Sequence, residues 1–173
     1  MKSGIAFSIV ALLCVFGLRT EIAIGQSNST ADKIKVTLQT EGDTSRGAQA
    51  MFTVGEPVSI SVWGHNQGDG EIWATWDRYR PHKFYLISLT KNGEPVKYTG
   101  KVNKDLEAIQ ESAYGSSKAV QLRPGEYKRI SITGLQYWYE NLEPGYYELT
   151  LSLDLGAIGK TKPETAHFTV VDK

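Results

Sequence analysis

Beyond residue 32, apolar and polar residues alternate with a period of two in six separate runs. Each run places apolar side chains on one face and polar side chains on the other, as in a half-buried β-strand. Helical spacing fits none of the runs comparably well, so the pattern predicts an all-β fold. The apolar positions are Ile34, Val36 and Leu38; Ala50, Phe52 and Val54; Val58, Ile60 and Val62; Ile130 and Ile132; Tyr147, Leu149, Leu151 and Leu153; and Ala166, Phe168 and Val170.

Two copies of a Leu-x-Pro-Gly-x-Tyr segment, at residues 122–127 and 142–147, predict chain reversals before strands. Proline presets the first turn angle, and glycine accepts the conformation that follows. Asn92-Gly93 predicts a further tight turn. Short strands separated by such turns predict one antiparallel immunoglobulin-like β-sandwich of about seven or eight strands.

The tyrosines that end the two segments are predicted to lie in different environments. Tyr147 shares a face with Leu149 and is expected in the core. Tyr127 shares a face with Arg129 and Ser131 and is expected at the surface. We therefore expect a structural corner at the second copy, and a binding site at neither.

Two segments depart from this alternation. Residues 84–89 are apolar on both faces, which favours a central strand. Apolar residues between 106 and 113 recur at helical spacing, and Asn103 or Asp105 could cap a helix there. Residues 105–114 are therefore predicted to form a short helix or an ordered loop between the sheets.

Residues 1–25 have the pattern of a secretory signal peptide. Lys2 precedes an apolar run over residues 5–18, and small residues at 23–25 favour cleavage before Gln26. The run is shorter than the roughly 20 residues that span a bilayer, although an uncleaved anchor is the alternative. We expect a secreted or periplasmic protein with no membrane span after cleavage.

The rest of the chain is predicted to comprise a flexible lead, residues 26–32, and one domain, residues 33–173. Cys14 is the single cysteine and lies in the predicted signal peptide, so the domain is expected to lack disulfides. The 19 lysines and arginines balance 19 aspartates and glutamates. No global electrostatic field therefore favours nucleic acid or an acidic membrane.

Several turn and strand-start motifs together resemble two families of secreted domains. They are Phe52-x-Val-Gly-Glu-Pro-Val58, Asn66-x-Gly68, Gly93-x-x-Val96, Leu122-x-Pro-Gly-Glu126 and Gly145-x-Tyr147. They resemble immunoglobulin-like domains of the BsuPI proteinase-inhibitor type. With Tyr98-x-Gly100, they also resemble the noncatalytic N-terminal domain of deuterolysin-type metallopeptidases. The resemblance implies a noncatalytic sandwich that serves a larger assembly or contacts proteases.

The second Pro-Gly segment also resembles the tyrosine corner of immunoglobulin domains, in which a tyrosine bonds back to upstream backbone. Tyr147 would be that tyrosine. Leu149 stands where antibody domains carry a cysteine, which implies aliphatic packing in place of a disulfide. Trp76 or Trp73 would then fill the place of the buried tryptophan.

The sequence offers little catalytic chemistry. His65, His82 and His167, expected in a turn, a loop and an outward strand position, are not spaced with other ligands as a zinc site requires. Ser88-x-x-Lys91 matches a serine acyl-enzyme pattern but lies in a predicted strand. Residues 66–71 could hold calcium, although a plain turn is favoured. We predict no enzyme activity, no catalytic residue, no metal and no cofactor.

Aromatic and basic residues carry two binding hypotheses. Arg78, Tyr79 and Arg80 form a basic loop with residue types favoured at interface centres, which predicts contact with a protein partner such as a peptidase. The alternative is a carbohydrate-binding module, in which Trp63 and Trp73 face outward on neighbouring strands as a sugar platform. Residues 137–139 are read as an aromatic cluster at a sheet edge.

Overall fold

The computed structural model describes residues 30–42, 48–77, 81–107 and 117–173. Within these ranges the chain consists mainly of strands joined by turns and short helices. The strands are β1 (Ile34–Glu41), β2 (Met51–Thr53), β3 (Ser59–Asn66), β4 (Ile72–Asp77), β5 (Tyr85–Lys91), β6 (Glu94–Pro95), β7 (Ser117–Leu122), β8 (Tyr127–Gly134), β9 (Gly145–Leu153) and β10 (Glu164–Val171). The helices are α1 (Pro81–Phe84), α2 (Gly100–Glu107) and α3 (Leu135–Trp138).

These strands form three sheets with the orders β1-β3-β8, β2-β10-β9-β5-β6 and β4-β7. Among the described strands, the β2–β10 pairing is parallel and the others are antiparallel. The β4–β7 pair lies beside the first sheet, because β7 contacts both β3 and β8. The predicted all-β immunoglobulin-like sandwich is confirmed. The structure confirms a short strand, β2, in the predicted run at residues 50–54, and it adds strands such as β6 that the sequence pattern did not predict.

The inner faces of the two larger sheets form the core. Ile60 and Val62 on β3 are fully buried, as are Leu149, Leu151 and Leu153 on β9. Each such aliphatic side chain contributes about 1.5–3 kcal/mol when removed from water. The predicted apolar faces of these strands are therefore confirmed.

A β-bulge in β8 breaks one predicted alternation. The register of β8 against β3 shifts between Val62 and Trp63, which leaves Ile130 as the extra residue. Ile130 is buried as predicted. Ile132 is 43% exposed, although it was expected to face inward, and Ser131 is buried, although it was expected to face outward. The extra residue exchanges the two faces of the strand beyond it.

The predicted tyrosine corner is confirmed. The Tyr147 hydroxyl donates a hydrogen bond to the Glu143 carbonyl oxygen at 2.7 Å. Tyr147 is 2% exposed, and its ring stacks on Phe168 with centroids 5.1 Å apart. The second Pro-Gly segment is thus fixed to the core by its own tyrosine.

Among the tryptophan side chains that the structure describes, Trp138 on α3 is the fully buried one, so the expectation for Trp73 was wrong. Trp138 is fully buried, and its Nε1 donates to Thr133 Oγ1 at 3.1 Å. Tyr139 is buried beside it, whereas Trp73 is exposed on β4. The Trp76 side chain lies outside the described residues. A single helical turn brings adjacent aromatics into the core, so residues 137–139 are not a simple edge cluster.

Strand β5 differs from the predicted strand that is buried on both faces. Phe84 belongs to α1, and the strand begins at Tyr85. Ile87 and Leu89 are buried, but Leu86 is 39% exposed on the opposite face. The outer face of this sheet is exposed to solvent. The apolar residue Leu86 therefore does not indicate that β5 is buried on both faces.

Helix α2 begins before the predicted start at residue 105. Its cap is Thr99, whose Oγ1 accepts a hydrogen bond from the Val102 N–H at 3.1 Å. Neither Asn103 nor Asp105 has the predicted capping role. Residues 108–116, including most of the expected helix or loop, lie outside the described residues.

The predicted signal peptide, residues 1–25, lies outside the described residues. Of the predicted flexible lead, residues 30–32 belong to a 3₁₀ turn over Thr30–Lys33, in which Ala31 is fully buried. Ala31 therefore packs into the core of the described domain. Across the described ranges, no helix has the length and apolar character needed to cross a membrane.

Candidate functional site

The structure assigns the predicted binding residues to separate places. Arg78, Tyr79 and Arg80 lie outside the described residues. Trp63 lies on β3 in the first sheet, whereas Trp73 lies on β4 in the two-stranded sheet. Trp73 is 53% exposed, as predicted. The two tryptophans are therefore not cross-strand neighbours, and the expected double-indole platform is wrong in its geometry.

Trp63 instead joins an aromatic cluster with His65 and Tyr127 on the outer face of the first sheet. The Trp63 and Tyr127 rings stack with centroids 5.3 Å apart and planes 9° apart. His65 meets the Tyr127 ring edge-on, with centroids 6.4 Å apart. Tyr127 is 55% exposed, so the cluster presents an aromatic surface to solvent.

Strand register assembles this aromatic cluster. His65 pairs directly with Tyr127 across β3 and β8, and Trp63 pairs with Arg129. Positions two apart on a strand share a face, so the three rings and the Arg129 side chain point outward together. Sequence reasoning placed Tyr127 at the surface but denied it a site role, and it assigned His65 to a turn. The alternation of β3, continued to His65, was the available signal.

Beside the aromatic cluster lies a gap in the layer, here called the β7–β8 cleft. Its volume is about 300 Å³. Lys118 and Val120 line it from β7, Arg129 and residues 130–132 line it from β8, and Tyr85 reaches it from the opposite sheet. In the described chain, β7 pairs with β4 and β8 with β3, and no backbone hydrogen bond joins β7 to β8.

The Pro124–Gly125 turn holds β7 and β8 together at one end of the β7–β8 cleft. Asn66, at the end of β3, is completely buried there. Its backbone N–H donates to Glu126 O at 3.0 Å, and its side-chain Nδ2 donates to Leu122 O at 3.0 Å. Beyond this anchor, no described backbone hydrogen bond holds the strands together.

The β7–β8 cleft has a positive rim and an uncharged floor of mixed apolar and polar side chains. Among the described residues, neither Lys118 nor Arg129 has an ion-pair partner. Burial raises the pKa of Tyr85 to about 12. Tyr85 therefore remains a neutral phenol at physiological pH.

A second aromatic pair lies on the outer face of the larger sheet. The Tyr146 hydroxyl is 2.7 Å from His167 Nδ1, and the two rings stack with centroids 5.6 Å apart. His167 therefore faces outward, as predicted. His82 lies on α1, and His65 belongs to β3 instead of a turn.

The remaining candidate sites have structural explanations. Asn66 Oδ1 accepts the Gly68 N–H at 2.9 Å, and Nδ2 donates to Gly70 O at 2.7 Å, so Asn66 braces the oxygen-rich turn. Ser88 lies in β5, away from any helix start. Within the four described ranges, no group of three histidine, cysteine, aspartate or glutamate residues is placed to hold a metal ion.

No protein-family model matches this sequence, and no curated protein matches it. Solved structures give distant matches. A cycloisomaltooligosaccharide glucanotransferase from Paenibacillus sp., complexed with cycloisomaltoheptaose, is 14% identical with a TM-score of 0.38, over 76% of this chain and 13% of that chain. The present chain thus spans about one eighth of that enzyme's length.

Two further solved structures are comparably distant. The CARDB domain of the PF1109 protein from Pyrococcus furiosus, in complex with di-metal ions, is 15% identical with a TM-score of 0.37, over 84% of this chain and 100% of that one. AvmM, which catalyses macrocyclization in alchivemycin A biosynthesis, is 14% identical with a TM-score of 0.36, over 82% and 90% of the chains. These TM-scores are too low to support a fold assignment, which rests instead on the strands and strand pairings of this chain.

Proposed function

We propose that this chain is a noncatalytic binding module that docks a protein partner on its aromatic cluster. The observation that carries the proposal is the stack of the exposed Tyr127 ring on the partly buried Trp63 ring, with Arg129 paired beside it. Tryptophan, tyrosine and arginine are the residue types most enriched at the energetic centres of protein interfaces. A rigid sheet holds these side chains in place before binding, which lowers the entropic cost of association.

The proposed setting is extracellular or periplasmic, and a peptidase is the proposed class of partner. The predicted signal peptide over residues 1–25 supports export. The resemblance to BsuPI-type inhibitors and to the deuterolysin N-terminal domain supports contact with peptidases. We propose no catalytic role, because the motifs in the sequence and the clusters in the described residues offer no nucleophile with an adjacent base.

Carbohydrate binding is the second candidate, because the exposed Tyr127 ring belongs to the same stack. Sugar rings pack on aromatic faces, and a stacked pair is rigid. The sugar-binding surface would consist of Trp63 and Tyr127, whereas Trp73 is a separate tryptophan on the surface.

The test is affinity capture from the native secretome with residues 26–173 as wild type, Trp63→Ala, Tyr127→Ala and Trp73→Ala. Trp73 provides a matched control, since it is also an exposed aromatic on a strand. We expect a protein that is retained by wild type and by Trp73→Ala and lost with Trp63→Ala and Tyr127→Ala. The recovered protein is then purified and titrated against the same four proteins.

Glycan titration followed by tryptophan fluorescence separates the two candidates. A saturable shift with cell-wall glycans that disappears in Tyr127→Ala would favour the carbohydrate reading. Partner retention by all four proteins would overturn the assignment of the aromatic cluster. Hydrolysis of any peptide or glycan in a broad panel would overturn the noncatalytic proposal.

A further inference from the structure

Strands β7 and β8 face each other across the β7–β8 cleft without pairing. A strand edge with free N–H and C=O groups is a template for another strand. Here β8 is bonded to β3 on one side, and β7 is bonded to β4 on the side away from β8. The two remaining edges therefore face a cleft of about 300 Å³ that opens to solvent.

The charged side chains around the β7–β8 cleft favour a ligand that carries negative charge. Lys118 and Arg129 are both exposed at its rim, and neither has a carboxylate partner within the described chain. At the floor, Val120 and Ile130 offer apolar contact, and Tyr85 brings a neutral phenol. An acidic side chain would neutralise the rim, whereas a basic one would be repelled.

We propose that the β7–β8 cleft binds an extended peptide segment of the partner that carries an acidic side chain. The segment's backbone pairs with the free edge of β8, and its carboxylate lies between Lys118 and Arg129. This is strand addition, in which main-chain hydrogen bonds provide affinity and alternate side chains provide specificity. This inference rests on the proposed function, because the peptide segment belongs to the protein partner proposed above.

Geometry favours a peptide over a glycan in this cleft. A glycan has no regular series of alternating donors and acceptors to match two strand edges, whereas an extended peptide has one. The aromatic cluster lies immediately beside the cleft, since Arg129 both lines the cleft and pairs with Trp63. A bound segment would therefore continue onto the stacked rings.

The probe is a phage-displayed library of random eight-residue peptides, selected against residues 26–173 in parallel for four proteins. They are wild type, the double variant Lys118→Gln/Arg129→Gln, the charge-matched control Lys162→Gln/Arg123→Gln, and Tyr127→Ala. All four charge substitutions fall on exposed side chains, so each protein is expected to fold. Circular dichroism and thermal unfolding verify this before selection.

We expect wild type and the control to enrich peptides with aspartate or glutamate at one fixed position. The enriched peptide should bind the Lys118→Gln/Arg129→Gln protein about tenfold more weakly or worse, because charge-assisted hydrogen bonds are lost. Replacing its acid by the corresponding amide should remove that difference between the proteins. Amide hydrogen exchange at residues 129–132 should slow when the peptide binds.

Three results would overturn the inference: no enrichment, enrichment without an acidic position, or binding that leaves exchange at residues 129–132 unchanged. Failure here is distinguishable from failure of the proposed function. If partner capture depends on Trp63 and Tyr127 but no acidic peptide is enriched, the inference alone falls. If acidic peptides bind the cleft but no protein is captured through the aromatic cluster, the assignment of the cluster falls.

Discussion

The two Leu-x-Pro-Gly-x-Tyr segments share a sequence and differ in almost everything that their tyrosines do. Tyr147 is 2% exposed and bonds back to the Glu143 carbonyl, so it fastens its turn to the core. Tyr127 is 55% exposed and stacks on Trp63 in the aromatic cluster. A local motif thus specifies a chain reversal, and the register of the following strand decides whether its tyrosine supports the fold or faces a ligand.

The two turns are also anchored by different asparagines. Buried Asn66 holds the first turn, accepting the Gly125 N–H at 2.9 Å and bonding Glu126 and Leu122. Exposed Asn92 holds the second, where its backbone N–H donates to Tyr146 O at 2.8 Å and its Oδ1 accepts the Tyr146 N–H at 3.0 Å. The two asparagines therefore differ in burial, as the two tyrosines do, although the buried asparagine belongs to the turn with the exposed tyrosine.

The largest expected difference is between Tyr147→Ala and Tyr127→Ala. Deleting a fully buried aromatic side chain leaves a cavity and costs about 3–5 kcal/mol. Deleting an exposed one changes the free energy of unfolding by about 0.5 kcal/mol or less. Urea unfolding of both variants measures this difference. Equal losses would show that Tyr127 also supports the fold, which would weaken its assignment as a binding residue.

A smaller effect is expected from the asparagine anchors. Asn66→Ala leaves buried carbonyl and N–H groups without partners and should cost roughly 1–3 kcal/mol. Asn92→Gly removes an exposed acceptor while keeping the positive φ of 51° accessible, so it should cost less. Thermal unfolding of the two variants ranks them. The reverse order would contradict burial as the deciding factor.

The corner hydrogen bond alone should contribute about 1 kcal/mol. Tyr147→Phe removes the hydroxyl but keeps the ring stacked on Phe168, so the loss isolates that bond. Tyr127→Phe is the matched control and should leave stability unchanged, because no described hydrogen bond involves its hydroxyl. A destabilised Tyr127→Phe protein would reveal a role for that hydroxyl in the fold.

The smallest expected effect concerns the glutamate of each segment. The Lys91 ammonium, 2.7 Å away, lowers the pKa of Glu143, whereas the Arg123 backbone N–H is the main cause that lowers the pKa of Glu126. Both shifts stabilise the fold above the ordinary glutamate pKa and lose that contribution as pH falls through the lowered value.

Salt separates these two glutamates. Added salt screens an exposed ion pair but hardly affects a short hydrogen bond to backbone. In NMR titrations, the pKa of Glu143 should rise towards its ordinary value at high salt and in Lys91→Met, while that of Glu126 should keep most of its shift. If Lys91→Met left the pKa of Glu143 unchanged, the ion pair would not be its cause.

Local signals in the sequence predicted much of the sandwich correctly. Period-two alternation identified β3, β9 and β10, and Asn92-Gly93 identified the turn between β5 and β6. The tyrosine corner was predictable because its bond spans four residues. These features depend on contacts close in sequence or on one strongly apolar face, which a single chain displays directly.

The candidate site was only partly predictable. Trp63 was recognised as outward-facing, but its partner Tyr127 is distant in sequence, and pairing between β3 and β8 brings the rings together. Trp73 has the same pattern and lies in another sheet. Composition and periodicity carry no information on which strands become neighbours.

By itself, the sequence determined the strands, the turns and the inward or outward side of most residues, because backbone geometry fixes a period of two. The tertiary structure decided that the bulge at Ile130 turns Ser131 inward and Ile132 outward. It also decided that Trp138 is buried while Trp73 is exposed, and that β7 and β8 stay unpaired. Each of these depends on contacts between segments far apart in the chain. Long-range packing thus places the tyrosine of the first Pro-Gly segment on the surface beside the β7–β8 cleft, and it buries the tyrosine of the second segment in the core.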